Sequence, residues 1–170
     1  IADEARSRDG KGFRDNYARL FPLGPPPADE AEHERHLRET LRSLADRGYR
    51  RPVDDLTLGR LVTVAKTAGG EGTPFEHRIA AAAAAVIASP RFLFRFEDGV
   101  EEEGDDLGSQ AELIDEYALA SRLSYFLWST MPDEELLTLA REGRLRAELD
   151  AQLSRMIADE RSNAFVENFV

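Results

Sequence analysis

The chain has 170 residues, of which 42% are hydrophobic and 32% charged, a balance typical of a globular protein with strongly charged outer faces. Its net charge of -11 argues against nucleic acid as a partner, because an acidic surface repels phosphate backbones. The sequence contains no cysteine, which excludes thiolate metal sites, a cysteine nucleophile and a covalent c-type haem site within the chain. Since no apolar run approaches about 18 residues, direct membrane insertion is not expected.

The N-terminal part of the chain is predicted to be an extension followed by a helical module. Residues 1–28 form a linker or N-terminal extension, because prolines interrupt any helix there. Residues 29–98 form the first helical module. Its first helix is expected from about Asp29 to Arg47 and to end at Gly48, since glycine readily adopts the left-handed conformation found at helix ends.

Capping signals place the other helices of this module. Asp54 is a good N-cap for a helix from about residue 55 to 68. The pattern Thr73-x-x-Glu76 predicts a capping box that opens a helix containing six consecutive alanines. A short helix over residues 91–96 is expected to supply the core with bulky side chains from Phe92, Leu93, Phe94 and Phe96.

Residues 97–111 are predicted to form an acidic connecting loop. The stretch 97–106 contains seven carboxylates and no basic residue, so like charges repel one another and little is apolar. Several carboxylate oxygens in one stretch are also the ligand type of a calcium site, but the stretch lacks the spacing and glycine placement of an EF-hand. The favoured interpretation is an exposed, solvated loop.

Residues 112–170 are predicted to form a second helical module, truncated at its C-terminal end. Ser109-x-x-Glu112 is a capping box expected to open a helix running to about Ser129. Pro132 is expected to start the next helix, with the carboxylates of residues 133–135 placed where the helix dipole favours negative charge. Two further helices follow, and the chain is expected to be a fragment of a longer protein.

Together these signals predict an all-α fold. We expect an orthogonal or irregular multi-helix bundle, with about seven to eight helices in two successive units. No alternating pattern typical of a strand is found.

Candidate chemistry is sparse. Glu30, His33 and His36 have the helical spacing of metal ligands, but a di-iron site needs two such motifs, and a solvated helix face is the favoured interpretation. Ser121 and Ser124 have no catalytic His and Asp near them in sequence. We therefore predict no catalytic, cofactor-binding or metal-ligating residues within this chain, and whether it is part of an enzyme stays open.

Four residues are weak candidates for an interaction. Arg50 and Arg51 could bind an anion or an acidic neighbouring module, although internal ion pairs are the favoured interpretation. Arg122 lies in a largely apolar helix, where a buried arginine would need a partner and would fix helix packing or a domain junction. Trp128, with nearby aromatic residues, could line a sugar site, but aromatic residues at helical spacing are more often core.

Five segments carry a family resemblance. They are YRRPV (49–53), ASPRFLFR (88–95), LASRLSYFLWS (119–129), MPDEELL (131–137) and ENF (167–169), in that order. Together they resemble the planctomycete cytochrome-associated family of large secreted multidomain proteins of unknown function. The resemblance runs from about residue 29 to the end, across both modules.

The resemblance implies context rather than an activity. It implies an exported protein, periplasmic or extracellular, with other modules of the same parent chain as partners. One of those modules commonly carries haem, and carbohydrate-binding-like modules also accompany such proteins. The expected function is therefore a structural or interaction module of a larger exported, cytochrome-containing protein. The alternative is a fragment of an extracellular redox or carbohydrate-acting enzyme whose active residues lie partly outside this chain.

Overall fold

The computed structural model describes residues 17, 21, 23–70, 72–94, 99–100 and 113–169. Over these residues it contains eight α-helices, one short 3-10 turn and one pairing of two-residue strands. This architecture confirms the predicted all-α multi-helix fold. The chain divides into two compact units, residues 1–93 and 94–170.

Four helices build the first unit. They are α1 (Glu30–Tyr49), α2 (Asp55–Thr67), α3 (Phe75–Ile87) and α4 (Pro90–Leu93). The carboxylates of Asp29 and Asp54 cap α1 and α2 by accepting hydrogen bonds from the backbone N–H groups of Glu32 and Thr57. The prediction of Asp54 as a cap is therefore confirmed.

The predicted end of α1 is wrong. Gly48 lies inside the helix, and the residue in the left-handed conformation is Arg50, with φ of 60°. A Cβ atom added at Gly48 would lie 2.8 Å from Cγ1 of Val86 in α3. Glycine is present because two helices approach closely at this point, and not because the helix stops there.

The capping box predicted at the start of α3 does not form. The hydroxyl of Thr73 donates to the carbonyl oxygen of Gly70 at 2.8 Å, and within the described residues no side-chain hydrogen bond caps α3. Oε1 of Glu76 instead accepts a hydrogen bond from the hydroxyl of Tyr17 at 3.2 Å. Both side chains that the motif needs are thus engaged elsewhere.

The core of the first unit lies between α1, α2 and α3, each of which packs against the other two. Phe21 also packs against this core, so the predicted N-terminal extension contributes to it. The alanines of α3 allow close packing because their side chains are small. The buried core residues are Leu37, Leu41, Ala45, Tyr49, Val53, Leu58, Leu61, Val62, Ala65, Phe75, Ile79, Ala82 and Val86.

The short helix α4 is smaller than predicted and supplies less of the core. Phe92 packs against the core, but Leu93 and Phe94 are 62% and 60% exposed. A helix of four residues makes about one turn, so its side chains point in all directions and only part of them faces the bundle. Phe96 lies outside the described residues.

The second unit begins with paired strands. They are β1 (Gly99–Val100) and β2 (Leu113–Ile114), which pair antiparallel. Each strand has only two residues, which is too short to show an alternating pattern, so the all-α fold class is unaffected. The capping box predicted at 109–112 and most of the acidic loop lie outside the described residues. Asp115 caps the following helix, with its carboxylate 2.6 Å from the backbone nitrogen of Ala118.

Four helices follow the strands. They are α5 (Glu116–Trp128), α6 (Glu134–Arg141), α7 (Leu149–Ala158) and α8 (Asn163–Phe169), with a 3-10 turn at Glu160–Ser162. The hydrophobic core cluster of this unit consists of Ala120, Leu127, Trp128, Leu136, Leu139, Ala140, Leu145 and Met156, of which Leu145 lies between α6 and α7. In the part of the chain that the structure describes, no helix has both the length and the hydropathy needed to cross a membrane.

Candidate functional site

Arg50 is a buried cation in the first unit. It is 6% exposed, and its guanidinium donates to the carbonyl oxygens of Arg91 at 3.1 Å and of Phe92 at 3.3 Å. Those carbonyls lie at the end of α4, where backbone acceptors lack helical partners. Arg50 therefore holds α4 against the end of α1. Arg51 follows it, half-buried, with its backbone N–H bonded to the carbonyl oxygen of Asp46.

The two histidines of α1 pack against an aromatic ring. The rings of His33 and His36 each lie 5.5 Å, centroid to centroid, from the ring of Phe75. Nε2 of His36 donates to the carbonyl oxygen of Gly24 at 3.1 Å. Both histidines are half-buried, so the predicted solvated face is only partly correct. Among the described residues, no group of three or more His, Asp or Glu side chains could hold a metal ion.

Trp128 belongs to the core of the second unit. It is 3% exposed, and its Nε1–H donates to the carbonyl oxygen of Met156 in α7 at 2.9 Å. The guanidinium carbon of Arg161 lies 3.5 Å from the centroid of the ring, and that of Arg155 lies 5.4 Å away. Cations over a tryptophan face are attracted by the π-electron density of the ring. Trp128 thus links α5, α7 and the 3-10 turn.

Asp133 joins the same two arginines. Its carboxylate caps α6 by accepting from the backbone N–H of Leu136 at 3.1 Å. It also accepts two hydrogen bonds from Arg155, at 2.7 and 3.2 Å, and one from Arg161 at 3.3 Å. Arg161 in turn makes a bidentate pair with Asp159. We call Trp128, Asp133, Arg155, Asp159 and Arg161 the tryptophan cluster.

The electrostatics of the tryptophan cluster favour ionised carboxylates. Burial alone would raise the pKa of Asp133, but the hydrogen bonds from Arg155 and from the Leu136 backbone outweigh this, so the pKa of Asp133 is lowered. The side-chain hydrogen bond from Arg161 is the largest cause that lowers the pKa of Asp159, to about 2. A carboxylate with a lowered pKa and such partners stabilises the fold without any need for a catalytic role.

The stability of the second unit is expected to fall in acid. A carboxyl group with a lowered pKa in the folded state contributes stability above its unfolded pKa of about 4, and that contribution is lost as the pH falls through the folded pKa. For Asp159 the window runs from about 4 down to about 2. Thermal unfolding followed by circular dichroism should therefore show a falling midpoint across this window.

A matched pair of variants tests the cause. Asp159→Asn should reduce the pH dependence in that window, whereas Glu160→Gln, the same change of charge at the exposed neighbouring position, should leave it almost unchanged. Equal pH dependence in Asp159→Asn and the unmodified chain would contradict the role given to Asp159.

The exposed side of α5 forms an open depression. Among the residues that the structure describes, Arg122, Tyr125, Phe126 and Ser129 line it, and its volume is about 580 Å³. Phe126 is 53% exposed, and its ring meets the ring of Phe165 in α8 edge-on, with 5.0 Å between centroids. We call this feature the α5 depression. It differs from the tryptophan cluster because its aromatic ring is open to solvent.

The four predicted interaction residues therefore differ in how far they are exposed to solvent. Arg50 and Trp128 are buried, Arg51 is half-buried, and Arg122 is exposed. Arg122 and Trp128 share α5 but point to different environments, so they do not form one site. Ser121 and Ser124 are buried on α5, where the Ser124 hydroxyl donates to the carbonyl oxygen of Ser121 at 3.1 Å.

Sequence reasoning missed that Phe126 belongs to the exposed side of α5. A signal was available, since residues 122, 126 and 129 are spaced at i, i+4 and i+7 and therefore share a helix face. The buried positions Ser121, Ser124 and Trp128 lie on the other side. The aromatic residues that were predicted to be core therefore include a buried ring, Trp128, and an exposed ring, Phe126.

The fold and these surfaces define a class of protein, an all-α domain pair in which each unit has its own core. Residues 36–97 match the PSD5 family, described as a protein of unknown function (DUF1595). Residues 114–170 match the PSD4 family, described as a protein of unknown function (DUF1592). The chain therefore carries these two domains consecutively. Neither a curated protein nor a solved structure matches it.

Proposed function

We propose that the chain is a structural or interaction module of a larger exported, cytochrome-containing protein. One observation carries this proposal. The two consecutive family segments each lie almost wholly within one compact unit, and each unit has a hydrophobic core of its own. A pair of self-contained helical domains suits the task of spacing or docking other modules.

The placement of the arginines and the tryptophan supports this proposal. Arg50 binds the carbonyls of α4, and Arg155 and Arg161 bind carboxylates while covering Trp128. These groups stabilise packing. The α5 depression, by contrast, presents an aromatic ring and a cation to solvent, which is the kind of surface that protein partners use.

The cytochrome and the exported location rest on the resemblance of the five sequence segments. Because the chain has no cysteine, covalent haem would be attached to another module of the parent protein. The partners of this chain would then be those other modules.

Purification of the full-length parent protein tests the proposal. We expect it in the periplasm or outside the cell, with the absorption spectrum of c-type haem after reduction. We also expect the present chain, added in solution, to bind the remaining modules in isothermal titration calorimetry. A cytosolic parent without haem, or remaining modules that do not bind the chain, would contradict the proposal.

The same preparation tests the alternative, an extracellular redox or carbohydrate-acting enzyme. Exposed polar residues of this chain are replaced, and the catalytic turnover of the parent protein is measured. A loss of turnover with folding intact would favour the enzyme. Turnover that survives those changes would favour the structural or interaction module.

A further inference from the structure

We propose, independently of the function proposed above, that α4 is a latch on the first unit. The latch opens by local unfolding while α1, α2 and α3 stay folded, and its opening lengthens the connection to the second unit. Two arginines hold it shut from opposite directions. Arg50 reaches from the end of α1 to the backbone of α4, and Arg91 reaches from α4 to the N-cap of α2.

Little apolar surface holds α4 in place. None of its four residues is buried, and of these four only Phe92 packs against the core of the unit. Each of the other three helices of this unit contributes four or more buried residues. Segments with few buried apolar contacts open locally at a lower free-energy cost than the core around them. The free energy that opens α4 is therefore expected to be lower than that which unfolds the unit.

Arg50 supplies the first polar contact, and its backbone is strained. Its φ of 60° and ψ of 20° lie in the left-handed region, which is unfavourable for an L-residue that carries a Cβ atom. A bulky residue persists in such a conformation only where the surrounding structure holds it. Its guanidinium, on a residue that is 6% exposed, donates to the carbonyl oxygens of Arg91 and Phe92. Closure of the latch thus gives this buried cation two acceptors.

Arg91 supplies the second polar contact, which is open to solvent. Its Nη1 donates to Oδ2 of Asp54 at 2.7 Å, and the two side chains are 51% and 47% exposed. Asp54 also accepts from the backbone N–H of Thr57, so the ion pair ties α4 to the capped start of α2. Because exposed ion pairs are weak and are screened by salt, this contact is the adjustable part of the latch.

The position of α4 in the chain gives its opening a consequence. It is the last helix of the first unit, and the second unit begins at residue 94. Four residues span about 6 Å as a helix, but up to about 13 Å when they are extended. An open latch therefore adds up to about 7 Å to the length of chain that joins the two units.

Amide hydrogen exchange, followed by NMR on the full chain, tests the latch. The amides of Phe92 and Leu93 donate to the carbonyl oxygen of Ser89, so they exchange when α4 opens. After correction for intrinsic rates, we expect them to exchange about tenfold faster than the amide of Val86 in α3. Raising sodium chloride from about 0.1 M to about 1 M shortens the screening length from about 10 Å to about 3 Å, and should speed exchange at α4 about twofold relative to Val86.

Two variants of matched charge identify the contact that responds to salt. Arg91→Gln removes the ion pair with Asp54, so the α4 amides should exchange about two- to fivefold faster and lose their response to salt. Arg42→Gln removes another exposed ion pair at the start of α2, between Arg42 and Asp55. This control should leave exchange at α4 and its response to salt unchanged.

The length of the connection is measured separately. Because the chain has no cysteine, Arg60→Cys on α2 and Arg141→Cys on α6 place one spin label at an exposed position of each unit. Arg50→Lys keeps the charge but loses the forked guanidinium, so it should open the latch further. We expect this variant to broaden the distance distribution in electron paramagnetic resonance toward longer values, whereas Arg42→Gln should leave the distribution unchanged.

The proposal is overturned if the α4 amides exchange no faster than the Val86 amide, since α4 would then open only with the whole unit. Exchange at α4 that does not respond to salt, or that Arg91→Gln and Arg42→Gln change equally, would also overturn it. Faster exchange at α4 in Arg50→Lys with an unchanged distance distribution would overturn the lengthening of the connection.

Discussion

Replacing Trp128 with alanine is expected to lower the free energy of unfolding of the second unit by about 3–5 kcal/mol. The ring is 3% exposed, so its removal leaves a cavity among α5, α7 and the 3-10 turn. The carbonyl oxygen of Met156 would lose the hydrogen bond from Nε1. Arg155 and Arg161 would also lose the aromatic face that they cover.

The control for this prediction lies on the same helix. Phe126→Ala removes an aromatic ring that is 53% exposed, and we expect a loss of about 1 kcal/mol or less. Denaturant unfolding followed by far-ultraviolet circular dichroism measures both variants. If Trp128→Ala were no more destabilising than Phe126→Ala, the placement of Trp128 in the core would be wrong.

Replacing Gly48 with alanine is expected to destabilise the first unit by about 1–3 kcal/mol, because the new methyl group overpacks the contact between α1 and α3. The added Cβ would lie 2.8 Å from Cγ1 of Val86. Val86 is 2% exposed, and a β-branched side chain in a helix strongly prefers one rotamer, so it cannot turn away freely. This steric effect opposes the gain in helix propensity that alanine would otherwise bring.

The chain offers a matched glycine for comparison. Gly59 lies inside α2, and a Cβ atom there would have no heavy atom within 4 Å beyond its neighbours. Gly59→Ala should therefore stabilise the first unit by about 0.5–1 kcal/mol. Thermal unfolding of both variants tests this contrast: the midpoint should fall for Gly48→Ala and rise for Gly59→Ala.

A second-site change identifies the cause at Gly48. Val86→Ala removes the methyl group that the new Cβ would meet, so Gly48→Ala should cost less in that background than in the unmodified chain. An equal cost in both backgrounds would show that the contact with Val86 is not responsible.

Much of the fold follows from local sequence signals. The apolar spacing of Leu37, Leu41 and Leu44 predicts the inward side of α1, where Leu37 and Leu41 are buried and Leu44 packs partly buried against the core. Asp54 caps α2 as predicted. These signals work because helix periodicity and N-capping depend on residues within one turn of one another. The expected start of α6 at Pro132 is two residues early, because Asp133 is the N-cap and the helix begins at Glu134.

The errors occur where distant residues decide the structure. Gly48 reads as a stop signal, but its role depends on Val86, which is 38 residues away. Thr73-x-x-Glu76 reads as a capping box, but Tyr17 binds Glu76 and the box does not form. Leu93 and Phe94 read as core, yet a single-turn helix leaves them exposed.

The sequence identified some residues of the candidate site but did not predict which of them are exposed. Arg122 and Trp128 could be selected because a charge in an apolar helix and a lone tryptophan are unusual. Their separation into exposed and buried environments depends on which side of α5 meets α6 and α7. Contacts such as that between Trp128 and Arg161 join residues from different elements, and no local pattern encodes them.

The position of the sole tryptophan also supplies a natural spectroscopic reporter. Because Trp128 is the chain's one tryptophan and lies in the core of the second unit, its fluorescence follows the unfolding of that unit and not of the first. Ellipticity, by contrast, sums the helices of both. Fluorescence and ellipticity curves that coincide would mean that the two units melt as one cooperative block, and curves that separate would yield the individual stability of each.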